Sequence, residues 1–378
     1  MGAFDVPQPT TAQPDQEAQG VTITKQGTNQ AIPIVYGFRR VGGSLIYLET
    51  NGSNNKYLYA VYTVAEGEIL GFKRILVEDV ELPLPKTNGS LLGVAGSFTQ
   101  QIYDPNVIYT VKSGRFKDRI KFQVYNGTET QPQSGLANEA PNWSQRSRKL
   151  PGVAYAVIRF EWKEIKTQDD ANNNPFNGGI PKVQFDIVGR KVYDIRLHST
   201  GAQLSATYAN LPKSYQINPA SCLLDYLLDP RAGCGLSIDE INAETFKIAA
   251  NKFDQQVTYY TGQVGRAMTL NAVLDTNARL FDNVKQLVSG CRGFLPYVQG
   301  RYKLKVEDGG HPTDISSTTV TSAFDVTKDY IIGGITLDGE RKNSKFNEVV
   351  VNYVDPDLDF TNQQVFYSVN GDQAADNN

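Results

Sequence analysis

Histidine is almost missing from this sequence: 378 residues hold two, His198 and His311, both in glycine-, serine-, threonine- or proline-rich surroundings. Little material is left for a histidine-based zinc site or a Ser-His-Asp triad. Cysteine is nearly as scarce, and Cys222, Cys234 and Cys291 form an odd, sparse set. They fit thiols in a reducing compartment better than a disulfide framework, and Cys222 with Cys234 lacks the second pair of a metal site. No apolar run of about 18 residues occurs, and the N-terminus has no hydrophobic signal core, so the chain reads as soluble, without a visible export address. Charge of one sign is lacking too. Lys and Arg number 37 against 40 Asp and Glu, a net charge of −3, which gives no general attraction for polyanions and argues against nucleic-acid binding through a basic surface.

Glycine (33) and tyrosine (20) are plentiful, as expected of many strands joined by tight connections. The chain exceeds one ordinary core, so two or three domains are expected. Its most legible stretch is Lys149 to Arg196. Val153 to Trp162 (VAYAVIRFEW) is β-branched and aromatic, and from Val157 large apolar groups alternate with Arg159 and Glu161, a strand leaving a core for a wetter face. The Asn/Asp/Pro/Gly-rich run Gln168 to Pro181 reads as a long exposed loop. Val183, Phe185 and Ile187 then alternate with Gln184 and Asp186, a half-buried strand that Gly189 interrupts.

Met1 to Gln30 is too polar to hold itself folded and reads as an arm, either a disordered tail or a segment ordered by a neighbouring subunit. Ser44–Glu49 and Tyr57–Val64 form a hairpin across Asn51–Asn55, followed by strands at Phe72–Leu82 and, half-exposed, at Arg119–Tyr125. Gly127 to Lys149 is polar loop with one aromatic, Trp143. After Tyr193 the period changes. Asn218 caps a helix with Pro219 at its first position, ended by Asp229-Pro230. A second helix runs from Ser237 or Asp239 to Gln256 on the stripe Phe246, Ala249, Ala250 and Phe253. A third lies within Thr269–Gly290, capped by Asp275 or Thr276, with Leu280, Phe281, Val284, Leu287 and Val288 as its apolar face. Phe294–Val298 and Tyr302–Val306 make a hairpin, and Tyr330–Asp338, Phe346–Val354 and Phe360–Val369 are further strands. The polar finish at Gly371–Asn378 suggests a chain cut from something longer or handing over to a partner. The expected fold is mainly β with α+β insertions, in several domains: an arm over 1–30, β-rich structure over 31–196, an α+β domain over 197–310 and a C-terminal β segment over 311–378.

No catalytic, cofactor-binding or metal-binding residues emerge. Glu161 and Glu164, weighed as a glycosidase acid and base, have no second carboxylate at a defined separation, and the exposed side of a strand explains them. Asp355, Asp357 and Asp359 alternate as in a calcium loop, but Phe360 stands where that loop needs glycine and Phe366 where it needs glutamate, so a solvated turn is the plainer account. Gly42-Gly43 and Gly333-Gly334 are not followed by a helix or a GK[ST] and are not phosphate cradles. The Asn-x-Ser/Thr sites at Asn51, Asn88, Asn126 and Asn142 would matter only in a secreted chain.

In order along the chain, AIPIVYGFRRVGG (Ala31–Gly43), AVYTVAEGEILG (Ala60–Gly71), Leu150–Arg196, Asn218–Asn251 and LVSGCRGFLPYVQGRYKL (Leu287–Leu304) resemble the tail tip hub proteins of long-tailed bacteriophages. That family includes the host-specificity protein J of lambda-type phages and related hubs of gene-transfer agents. The resemblance implies a non-enzymatic virion protein, assembled in the host cytoplasm: a homotrimer of antiparallel β-barrels and α+β domains that closes the distal end of the tail tube. It implies a barrel plus an inserted β region within 31–196, with 311–378 completing or starting a second barrel. It further implies docking on a distal tail protein ring, contact with the tape measure protein, attached tail fibres or receptor-binding proteins, and opening so that DNA passes without specific binding. No cofactor and no membrane insertion are implied. Family members are usually longer, so if this chain is complete, receptor recognition belongs to another protein. The arm Met1–Gln30 and the loop Gln168–Pro181 are the candidate interfaces. The alternative readings are a tail-associated cell-wall hydrolase, or a glycan-binding adhesin using exposed tyrosines and Trp143.

Overall fold

The computed structural model describes residues 25–26, 31–83, 102–145, 148–162, 174–176, 180–197, 208–259, 262–306, 327–330, 333–334 and 348–368. They fall into two units, Met1–Val306 and Glu307–Asn378. The first opens with β1 (Lys25–Gln26), β2 (Ile34–Tyr36), β3 (Phe38–Val41), β4 (Ser44–Asn51), β5 (Tyr57–Glu66), β6 (Ile69–Val77) and β7 (Val80–Glu81). There follow β8 (Tyr109–Thr110), β9 (Ile120–Asn126), the single turn α1 (Pro141–Ser144), β10 (Val153–Glu161) and β11 (Val183–Tyr193). The chain then forms β12 (Lys213–Tyr215), α2 (Pro219–Leu228), α3 (Ala243–Phe253), β13 (Gln256–Thr258), β14 (Val264–Arg266), β15 (Ala272–Leu274) and α4 (Leu280–Ser289). A last hairpin holds β16 (Gly293–Phe294), β17 (Tyr297–Val298), β18 (Arg301–Tyr302) and β19 (Lys305–Val306).

The fold is mostly β. One six-stranded sheet has the order β1-β4-β5-β10-β9-β8; a second holds β12, β11, β6 and β7, with β3 also paired to β11. Both face a common core that includes Tyr62, Phe72, Phe122, Phe160 and Phe185. The Phe185 ring lies 5.9 Å from those of both Tyr62 and Phe72. The chain passes between the sheets at two glycine corners, Gly42-Gly43 and Gly67, which gives the pair a barrel-like form. Gly43 has φ +67, and a Cβ there would stand 3.0 Å from the Phe185 ring, so the corner excludes larger residues.

Several strands are more enclosed than their alternation predicts. Gln123 and Tyr125 on β9 are buried along with Ile120, Phe122 and Val124, because residues 127–150 fold back over the outside of the first sheet. The supposed polar loop is thus a second layer. Its core holds Leu136, Ala137, Ala140 and Trp143 against Tyr59, Val61, Tyr125, Tyr155 and Val157. Gln131 fastens it, its Nε2 donating to the carbonyls of Leu150 (2.5 Å) and Val153 (3.1 Å). Trp143 is 1% exposed and meets the Tyr47 ring edge-on at 4.9 Å, so it is not the exposed sugar platform of the adhesin reading. Burial, then a hydrogen bond to Glu49, pushes the Tyr47 hydroxyl up to about 12; burial and Glu139 do the same to Tyr59.

β11 is buried on both faces, and Gly189 does not interrupt it. A Cβ at Gly189 would lie 2.4 Å from the Val35 carbonyl oxygen; the glycine is where β11 lets the β2–β3 segment cross. The loop Gln168–Pro181 is described only at Asn174–Phe176 and Ile180–Pro181. There it is not simply exposed: Phe176 is buried among Phe116, Phe160 and Trp162, plugging the core of the paired sheets. Of the arm, only Lys25–Gln26 is described, paired in parallel with Ser44–Leu45; the rest of Met1–Gln30 lies outside the described residues.

The second core of this unit contains α2, α3 and α4. Asn218 caps α2 by accepting from the Ala220 N–H, and every residue of α2 is buried. Phe246, Ala249, Ala250 and Phe253 form the buried stripe of α3. The third helix begins later than its sequence predicts. Ala272–Leu274 is taken by β2 as an antiparallel strand, Asp275 turns onto the Asn277 N–H, and α4 starts at Leu280 without a side-chain cap. Leu280 (48%) and Phe281 (73%) are exposed and are not part of a buried face. Strand pairing has overridden helix propensity here.

In the second unit, β20 (Glu348–Asp355) and β21 (Thr361–Ser368) form an antiparallel hairpin. Tyr330 belongs to a 3-10 turn, Lys328–Tyr330, and is not in a strand; most of the predicted strand beyond it lies outside the described residues.

Two outcomes follow. Phe185→Ala should lose about 3–5 kcal/mol in urea unfolding, whereas Phe281→Ser should stay within about 0.5 kcal/mol of the parent; a large loss from the second would contradict the exposed helix face. The tyrosine shifts stabilise the fold fully below about pH 10, the ordinary phenol value, and this contribution is lost as pH rises through about 12. Unfolding midpoints measured against pH should fall across that window together with the appearance of phenolate absorbance.

Candidate functional site

The densest chemistry in the chain sits where the two cores of the first unit meet. Asp225 is the one charged residue of α2, while Asp229 closes it, and both carboxylates are buried. A charge so enclosed needs a partner, and Arg190 of β11 supplies it. Its Nη2 donates to Asp229 Oδ2 at 2.6 Å and to the Tyr208 hydroxyl at 2.8 Å, and its Nε lies 3.3 Å from Asp225 Oδ2. Asp225 accepts from the hydroxyls of Tyr36 (2.8 Å) and Tyr208 (2.6 Å). Asp229 Oδ1 takes the Arg231 N–H at 2.9 Å, and the Arg231 side chain reaches Glu66 at 2.8 Å. β2, β5, β11, α2 and the Tyr208 turn therefore meet in one network. Gly67 lies against the guanidinium: a Cβ there would stand 2.7 Å from Arg190 Nε.

Burial pulls the Arg190 guanidinium down, but Asp225, Tyr208, Tyr36 and Asp229 together hold it well above the usual arginine value. Tyr36 and Tyr208 are raised by burial and by Asp225. Lys213 stands over the Tyr208 ring at 3.3 Å and is lowered by burial. A second enclosed cluster lies on the β-rich side: Asp186 on β11 accepts from Arg40 Nε (2.7 Å) and Arg74 Nε (2.5 Å). The sequence had placed Asp186 and Gln184 on a wetter face. Opposite charges hold both clusters as fixed joints between β11 and its neighbours, although Arg190 Nη1 is buried without a hydrogen-bond partner.

Among the described residues, those singled out in the sequence do not assemble into a reactive site. Glu161 pairs with Lys56 at 3.0 Å; Glu164 lies outside the described residues. Asp355 Oδ1 accepts from the Asp357 N–H inside the turn between β20 and β21, with Asp359 and Phe360 at positive φ. Asn126 Nδ2 donates to the Leu70 carbonyl and Asn142 to Glu49, both internal bonds, and Asn51 donates to the Glu139 carbonyl. His198, His311 and Asn88 lie outside the described residues. Cys222 and Cys291 are buried; burial pushes the Cys291 thiol up to about 11 and raises Cys222 and Cys234. Among the described residues no three His, Cys, Asp or Glu side chains converge as metal ligands, and no helix is long and apolar enough to cross a membrane. The Arg190 joint was missed in the sequence, although the two aspartates set among leucines in CLLDYLLD (Cys222–Asp229) are a signal that a buried cation must exist elsewhere.

With the fold in view, the chain is similar to a phage protein in sequence and to a virion protein in fold. No family model matches it. It is 25% identical to the baseplate hub protein pb3 of Escherichia phage T5 over 386 aligned positions, 89% of this chain but 37% of that protein. The chain thus spans little more than a third of the length of that relative. In fold it resembles a chain of the virion of a native gene transfer agent particle, with a TM-score of 0.51 and 15% identity, covering 92% of this chain and 67% of that one. The resemblance to phage tail hub proteins read from the sequence is upheld by the sequence likeness, and the virion chain shares the fold.

Arg190→Met should lower the urea-unfolding free energy by about 3–5 kcal/mol, because Asp225 and Asp229 are left enclosed without their cation. A loss below about 1 kcal/mol would mean the joint is not closed to water.

Proposed function

We propose that the chain is the structural hub of a phage tail: a homotrimer in the virion that closes the distal end of the tail tube, docks on the distal tail protein ring, contacts the tape measure protein and opens for DNA ejection. The observation that carries this reading is the likeness to a baseplate hub protein over 89% of the chain. The internal chemistry agrees with it. Strong polar groups are spent on joints between β11 and its neighbours, Cys222 and Cys291 are buried and Cys234 half-buried, Glu161 is held in an ion pair, and Asp355 is held in a turn. The role is therefore read as non-enzymatic. Tail fibres or receptor-binding proteins would attach to the outside of such a hub.

The first measurement is the mass of the purified chain by light scattering, with images taken down any symmetry axis, alone and mixed with the distal ring protein of the same particle. A three-chain ring with a central channel, formed alone or on the ring protein, is the expected result. A chain that stays monomeric in both conditions and cleaves peptidoglycan would replace the hub by a tail hydrolase.

A further inference from the structure

The hairpin from β16 to β19 has one register throughout. Phe294 faces Lys305, Val298 faces Arg301, and between them the Lys303 N–H donates to the Pro296 carbonyl at 3.0 Å. The turn is Gln299-Gly300, both with positive φ, as a two-residue hairpin turn requires. Facing residues of a ribbon lie on one side of it, and successive residues on opposite sides. Leu295, Tyr302, Leu304 and Val306 pack into the core with the helices. The other side carries two parallel rows: Phe294, Pro296 and Val298 along one strand, and Arg301, Lys303 and Lys305 along the other. Phe294 is 61% exposed and Val298 41%.

Singly, an exposed phenylalanine or a surface lysine means little. Here they are aligned and held on a firm base. The cationic strand is anchored from behind, the Asn242 N–H donating to the Tyr302 carbonyl at 2.9 Å and the Leu304 N–H to Thr245 Oγ1 at 3.1 Å. The charge is also unbalanced: from Asn283 to Val306 there is no Asp or Glu, in a chain whose net charge is −3. Among the described residues no carboxylate forms an ion pair with Arg301, Lys303 or Lys305.

The spacing selects the partner. Alternate residues of a strand stand about 6.8 Å apart, and residues four apart on an α-helix rise about 6 Å, so a helix lying along the ribbon can set every fourth carboxylate near one cation. The same helix can lay a neighbouring apolar stripe on Phe294, Pro296 and Val298, whereas an extended peptide offers only one row of side chains to a face. Single-stranded nucleic acid fits less well, since base stacking needs a run of aromatic platforms and two of the three apolar positions are proline and valine. We propose that this ribbon face docks an acidic amphipathic helix of a protein partner. The proposal does not depend on the hub reading.

The test uses the full chain and a fluorescently labelled, alanine-based helical peptide about four turns long, with glutamates at every fourth position and leucines on the adjacent stripe. The control is a peptide of the same composition with its glutamates spread around the helix; a labelled oligothymidylate is the second probe. The striped peptide should bind in a salt-sensitive manner, about tenfold more tightly than the control. The variant R301Q/K303Q/K305Q and, separately, Phe294→Ser should each weaken it severalfold, with circular dichroism and unfolding midpoints unchanged because none of these side chains is buried. No binding of the striped peptide, equal binding of the control, or tighter binding of the oligothymidylate lost in the same variants would overturn the proposal. None of these results changes the mass of the assembled chain, so the hub reading is tested separately.

Discussion

A guanidinium does not give up its proton inside a protein, so Arg190, once enclosed between two cores, dictates what surrounds it. Nη2 and Nε find acceptors, Nη1 does not, and the charge needs anions that are themselves held in place. Asp225 sits on the side of α2 that meets β11, and Asp229 follows where the helix ends. Tyr36 and Tyr208 then satisfy the remaining carboxylate lone pairs. Gly67 follows from the same requirement, since any side chain there would strike the guanidinium. A cluster of this kind adds little net stability over a well-packed apolar joint, but it tolerates only one arrangement of its members. It thus gives the first unit a defined geometry between its β-rich and helical parts.

β11 is the element through which this constraint is felt. Toward its start it pairs with β3 and β6 and holds Asp186 between two arginines; toward its end it pairs with β12 and carries Arg190 against α2. A strand in an ordinary two-layer protein has one face to spare for water. This one has almost none: Gln184, Asp186 and Arg190 are buried, Lys191 is half-buried, and each charge has an opposite partner within the fold.

That is also where the sequence is least legible. Helices with local signals stood out: α2 begins where Asn218-Pro219 puts it, and Phe246, Ala249, Ala250 and Phe253 form the buried stripe of α3, because both are settled within a few residues; the start expected at Ser237 or Asp239 is instead a 3-10 turn, Ile238–Glu240, and α3 begins at Ala243 behind an Asn242 cap. The alternation in Val183–Ile187 and Arg119–Tyr125 correctly identified strands, but alternation tells only that two faces differ, not that the polar face is dry. Whether Asp186 meets water depends on Arg40 and Arg74, more than a hundred positions away. The start of α4 was misplaced for a related reason, since Ala272–Leu274 is claimed by β2 at the far end of the unit. Trp143, expected on a loop, is buried by a layer whose existence rests on Gln131 reaching three separate carbonyls. The clearest unused clue was compositional: an aspartate amid leucines announces an ion pair without naming its partner.

Phe176 has a consequence for how this chain tolerates change. The long connection from β10 to β11 is pinned, nearer its β11 end, by one ring lodged among Phe116, Phe160 and Trp162. It therefore behaves as two separate spans, each closed independently, and the entropic penalty of lengthening a closed span grows only with the logarithm of its length. Insertions on either side of Phe176 can accumulate without disturbing the strands they join or each other, which makes this connection a place where related chains can diverge in length while keeping the same frame.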